Sequence, residues 1–78
     1  MNNKELKLVI TFHTIADAMA LEKACKENKT CGRLISVPRS LSSSCGISWC
    51  TGLENKDKTL DIISKYQIEY EGIYEIIL

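Results

Sequence analysis

The sequence predicts an α+β fold of ferredoxin-like type: a β-α-β-β-α-β two-layer sandwich with an antiparallel sheet in the order 4-1-3-2. Three observations lead there. Four short runs with strand character are separated by two longer runs with helical periodicity. The second and third strand runs follow one another across a loop rich in Pro, Ser and Gly, with no helix between them. At 78 residues there is room for one hydrophobic core, so residues 1–78 are read as a single domain. Right-handed crossovers then set strand one between strands three and four, with both helices on one face of the sheet. The other face is left to solvent or to a partner, an arrangement compatible with a homodimer.

Leu6 to Phe12 alternates, with Leu6, Leu8, Ile10 and Phe12 on one side, as in a strand with one well-buried face. Thr14 and Asp17 have the spacing of a helix cap, in which the threonine hydroxyl accepts from the aspartate amide. The run Ala16 to Asn28 is rich in helix formers. Ala18, Leu21 and Cys25 form its apolar stripe, broadened by Ala24 and Met19. Cys25 is therefore expected in the core, where free cysteine commonly resides.

Arg33 to Val37 is the second strand, stopped by Pro38, which has no amide to give a ladder. Ile47 to Thr51 is the third. Trp49 in it is expected in the core, or else on the open face as an anchor for a partner. Asn55 is expected to cap a helix over Lys56 to Tyr66, with Leu60, Ile63 and either Ile62 or Tyr66 facing inward. Glu69 to Leu78 closes the chain as a strand rich in β-branched and aromatic residues.

Composition excludes several classes of function. Hydrophobic residues at 45% and charged residues at 26% are those of a globular chain rather than a disordered one. Ten basic and ten acidic residues give a formal net charge of zero, and no RNP-like aromatic motif is present, so no nucleic-acid or membrane partner is expected. The apolar run after the N-terminus is too short for a signal core or a membrane span and is broken by Thr11 and His13. A cytoplasmic protein with reduced thiols is expected. The cysteines do not read as zinc ligands, because Cys25-x5-Cys31 and Cys45-x4-Cys50 are not knuckle spacings and His13 is the lone histidine. Neither a metal nor a cofactor is expected.

Chemistry, if present, belongs to the stretch from Val37 to Cys50. A strand feeds Pro38 and Arg39, then a serine-rich loop, then Cys45 and Gly46 at the mouth of the next strand. Glycine after the thiol leaves the backbone open to a partner. Strands one and two run the same way, so His13, Thr14 and the first helix start should meet Arg39, Ser44 and Cys45 at one edge of the sheet. A helix start and an arginine both stabilise a thiolate. Each residue also has a plainer role: Cys45 as an incidental thiol in a tight turn, Thr14 as a cap only, His13 as a loop residue, Arg39 as a solvated side chain. Cys50 lies an odd number of residues beyond Cys45. An unbroken strand would turn the two thiols to opposite faces, so Cys50 serves as a second thiol only if Cys45 lies in the loop or a bulge intervenes. No C-x-x-C is present to suggest a thiol oxidoreductase.

The assembled residues resemble the family described as Putative Se/S carrier protein-like, over nearly the whole chain. The resemblance is carried by Phe12, Thr14, Asp17 and Ala18, by Glu22-Lys23, by Gly32 to Arg39, by Ser42 to Trp49, and by Tyr70 to Glu75. Val-Pro-Arg, a serine loop and Cys-Gly in succession are its most specific part. The resemblance implies a carrier rather than an enzyme, holding sulfur or selenium as a persulfide or perselenide on Cys45. It also implies a donor enzyme such as a cysteine desulfurase, and an acceptor protein. Cys31 stands where such sequences tend to show proline, which places its thiol outside the shared machinery. The alternative is a non-catalytic ferredoxin-like module that binds a ligand or a protein.

Overall fold

Leu8 and Ile10, two apart in strand β1 (Leu6–Thr11), are both fully buried, as strand alternation requires of residues on one covered face. A computed structural model describes residues 5–78. After β1 come α1 (Ile15–Glu27), β2 (Arg33–Ser36), β3 (Ile47–Gly52), a 3-10 turn at Leu53–Asn55, α2 (Lys56–Tyr66) and β4 (Gly72–Ile77). The four strands form one antiparallel sheet in the order β2-β3-β1-β4. This is the expected 4-1-3-2 order viewed from the other side.

Leu8, Ile10, Phe12 and Trp49 pack in one cluster with Ala18, Leu21, Ala24 and Cys25 of α1 and Ile62 and Ile63 of α2. Both helices therefore cover the same sheet face. Burying a leucine or isoleucine side chain of this kind contributes roughly 1.5–3 kcal/mol. Trp49 belongs to this core, so it is no anchor on the open face. Gly32 lies against its indole, and a Cβ there would run into the ring. Val9 and Thr11, on the other side of β1, are also fully buried, as befits a strand with neighbours on both edges.

Thr14 caps α1 as expected, its hydroxyl accepting from the Asp17 amide at 3.3 Å and donating to the Asp17 carboxylate at 2.9 Å. Ala18, Leu21, Ala24 and Cys25 face inward, while Met19 is exposed. In α2 the inward pair is Ile62 and Ile63. Tyr66 stays exposed, and its hydroxyl accepts from the Asn28 amide side chain at 3.1 Å, joining the two helix ends.

Two expectations need correction. Asn55 makes no side-chain cap; its Nδ2 donates to Thr51 Oγ1 at 3.1 Å, and that hydroxyl donates to the Cys31 carbonyl at 2.6 Å. The last strand begins at Gly72, not Glu69. Gln67 takes a left-handed conformation at φ 54° and turns the chain, so that Ile68 drops into the core. The chain rejoins the sheet only where the Glu71 amide donates to the Thr11 carbonyl at 2.6 Å. Lys56 donates to Glu75 at 2.7 Å, tying the start of α2 to β4; this hydrogen bond and the carboxylate charge raise the lysine pKa.

Candidate functional site

β1 and β2 both run antiparallel to β3, so their ends emerge at one edge. The loop from Val37 to Gly46 springs from that edge. Its neck is closed by the Val37 amide donating to the Gly46 carbonyl at 3.0 Å. Its far end is a turn, in which Leu41 donates to the Pro38 carbonyl at 2.9 Å and Arg39 is held exposed. Gly46 sits at φ 77°, and an added Cβ would meet nothing within 4 Å. Glycine is needed there for backbone conformation rather than for space.

Cys45 lies in the loop two residues before β3, as expected, and is half-buried there rather than freely exposed. Its Sγ donates to the Ile47 carbonyl at 3.3 Å and lies 3.9 Å from Ser43 Oγ. A bond from S–H to a carbonyl exists only while the thiol holds its proton. The reason for this placement is parity. Cys45, Ile47 and Trp49 alternate along one side of the chain, and all three pack on the helix-covered core.

The loop is moored to the end of β1 and to the entry of β4. Ser43 Oγ donates to the Phe12 carbonyl at 2.8 Å. Ser44 donates its amide to Glu71 Oε1 and its hydroxyl to Oε2, each at 3.2 Å. His13 Nδ1 is 3.7 Å from the same Oε2. The structure thus brings His13, Ser44 and Cys45 into one neighbourhood through Glu71 and Ser43, with Thr14 at the adjoining helix start. Arg39 stands apart at the turn. Among the described residues, no hydrogen bond or ion pair joins Cys45 to Arg39, His13 or Thr14. Glu71 is the member that sequence reasoning missed. It is 27 residues from Ser44, inside what reads as a continuous strand.

All four thiols are free. Cys25 is fully buried, and burial pushes its thiol up to about 11. Cys50 is buried and pairs with Val9 and Arg33 on the sheet face away from the helices. Cys45 and Cys50 therefore lie on opposite sides of the sheet, even though Cys45 is in the loop.

A family model described as Putative Se/S carrier protein-like matches residues 7–75, a span that takes in the whole loop and every cysteine. The chain belongs to that family. No match emerges among curated proteins or among solved structures. In this Se/S carrier-like domain no group of three or more His, Cys, Asp or Glu side chains among the described residues is arranged to hold a metal ion. No helix among them is long and apolar enough to cross a membrane.

Proposed function

We propose that the domain carries sulfur or selenium as a persulfide or perselenide on Cys45, in a cytoplasmic setting, on a ferredoxin-like scaffold. The observation that supports this most is membership of the Se/S carrier-like family, with Cys45-Gly46 in a loop at a sheet edge. In the loading step, the Cys45 thiolate attacks the outer sulfur of a donor persulfide. The new S–S bond forms at Cys45, the donor's S–S bond breaks, and the donor cysteine leaves as thiolate while the proton stays on the transferred sulfur. The donor is an enzyme of the cysteine desulfurase kind, and delivery to an acceptor protein repeats the step in reverse.

Loading requires the Cys45 sulfur to leave the Ile47 carbonyl and turn outward. Gly46 supplies the local freedom, Ser44 and Glu71 hold the loop, and His13, Thr14 and Arg39 place polar and cationic groups around the edge. Cys50, across the sheet, is a second thiol without direct access to Cys45.

The packing of Cys45 on the core favours a second reading, a non-catalytic binding module in which this thiol is structural. Incubation with a cysteine desulfurase and cysteine, followed by intact mass and peptide mapping, separates the two. The carrier gains one sulfur at Cys45; the module gains none there.

A further inference from the structure

The strand register places Lys7, Arg33 and Cys50 on the sheet face that the helices leave open, with Arg33 directly opposite Cys50 and Lys7 opposite Gly52. There they line an open hollow of about 350 Å³, together with Cys31, Glu54 and Asn55. Cys31 is exposed at its rim, while Cys50 is 9% exposed in its floor. Arg33 makes no ion pair among the described residues, whereas Lys7 lies 3.3 Å from Glu5. Lys7 is shared with Glu5, so the preference for an anion over a metal cation rests on Arg33, the lining cation that no carboxylate engages among the described residues, with the Lys7 ammonium beside it. The thiols beside them favour an anion that reacts with sulfur.

We propose that this hollow is a second thiol site, at which carboxylate-bearing low-molecular-weight disulfides bind over Lys7 and Arg33 and Cys31 forms a mixed disulfide with them. The Cys31 thiolate, its proton released to solvent, attacks one sulfur of the bound disulfide. A new S–S bond forms at Cys31, the original one breaks, and the departing thiolate takes up a proton. The Cys31 sulfur is oxidised, the leaving sulfur is reduced, and no outside oxidant enters. Access decides which thiol reacts, and it favours Cys31 over the nearly covered Cys50.

A direct Cys31–Cys50 bridge is the competing product. Cys31 precedes β2 and is not paired in the ladder with Cys50, and both thiols are free in this structure. The site is independent of Cys45, so its test does not depend on the carrier proposal.

The full chain is incubated separately with oxidised glutathione, an anionic disulfide, and cystamine, a cationic one, and adducts are mapped by mass. The expected result is an adduct at Cys31 that forms about tenfold faster with oxidised glutathione at low salt. The preference shrinks as salt screens the charges. It is lost in Lys7→Gln and Arg33→Gln, retained in Arg33→Lys, and absent with Cys31→Ser because no adduct forms, with thermal melts confirming that each variant folds. Equal rates for the two probes, a preference unchanged by both glutamine variants, adducts confined to Cys45, or loss of two hydrogens to an internal bridge would each overturn the proposal.

Discussion

Ser44 grips the Glu71 carboxylate twice, through its backbone amide and its hydroxyl, both at 3.2 Å. This pair fastens the serine loop to the segment entering β4, and the loop in turn holds Cys45 against the core. Glu71→Ala removes both acceptors at an exposed site, where hydrogen bonds to a charged group are worth about 1 kcal/mol after solvent competition. Loop opening then becomes roughly five-fold more frequent, and alkylation of Cys45 accelerates by the same factor. Pulsed labelling with iodoacetamide and peptide mapping reads this out. An unchanged rate would show that the Ser44–Glu71 pair does not control access to the thiol.

Cys25 and Cys45 should separate stability from function. Cys25→Ala leaves a small void on the buried face of α1, within the core cluster, which costs on the order of 1 kcal/mol. Sulfur loading stays intact. Cys45→Ser abolishes loading at that position, yet its hydroxyl can still donate to the Ile47 carbonyl, so the fold is kept. Thermal melts of both variants beside desulfurase loading decide the matter. A larger loss of stability for Cys45→Ser than for Cys25→Ala would make Cys45 a structural residue.

Cys25 also sets an alkaline limit. Burial raises its thiol from 9.0 to about 11, so the folded chain keeps a proton that the unfolded chain gives up first. Stability is indifferent to this group below the unfolded pKa and falls as pH rises through the window up to the folded value. Two pH units correspond to a loss on the order of 2–3 kcal/mol. Urea melts at pH 8 and at pH 10.5 cross most of that window, so they should show a decline of about 2 kcal/mol in the native sequence and a smaller one in Cys25→Ala. Equal declines in the two would assign the alkaline sensitivity elsewhere.

The scaffold was legible because its signals are local. Leu8 and Ile10 alternate, Ala18, Leu21 and Cys25 recur at helical spacing, and Thr14 and Asp17 announce a helix start. Strand order followed from handedness alone. What escaped depends on contacts between distant residues. Tyr70 and Glu71 carry strand-like neighbours, but a left-handed Gln67 sends Ile68 inward and frees Glu71 to meet Ser44. Asn55 looks like a cap, yet it donates to Thr51 in β3, which in turn donates to the Cys31 carbonyl just before β2. The burial of Cys45 was half visible. It shares parity with Ile47 and Trp49, but the serine run before it reads as solvent-exposed loop and hides that phase. The hollow around Cys31 was invisible, since Lys7 and Arg33 converge there only through the pairing of β1, β3 and β2.

Gly32 and Gly46 should respond differently to alanine. At Gly46 the cost comes from backbone alone, about 1–2 kcal/mol for a left-handed non-glycine residue, because the space beyond is empty. At Gly32 the methyl group meets the Trp49 indole, so the core must shift, and overpacking of that kind costs about 1–3 kcal/mol. The expected signature is a change in Trp49 fluorescence for Gly32→Ala and none for Gly46→Ala. A perturbed Trp49 spectrum in Gly46→Ala alone would reverse the assignment.

Arg39 gives the sharpest test of the carrier site, because its structural role is small. It sits exposed in the turn closed by Leu41 and Pro38, and no ion pair engages it among the described residues. Arg39→Ala should therefore leave the melting temperature unchanged. In the carrier proposal its charge guides an approaching donor persulfide, or the loaded anionic sulfur, once Cys45 turns outward. An exposed charge contact of this kind is worth about 0.5–1 kcal/mol, so loading should slow by roughly two- to five-fold. The effect should fade at high salt, where the charge is screened. Arg39→Lys keeps the charge and should restore most of the rate. Loading by a desulfurase, followed by intact mass at two salt concentrations, supplies the comparison. If native chain and Arg39→Ala load at the same rate at low salt, Arg39 has no part in the site, and donor docking must rest on the other groups around the loop.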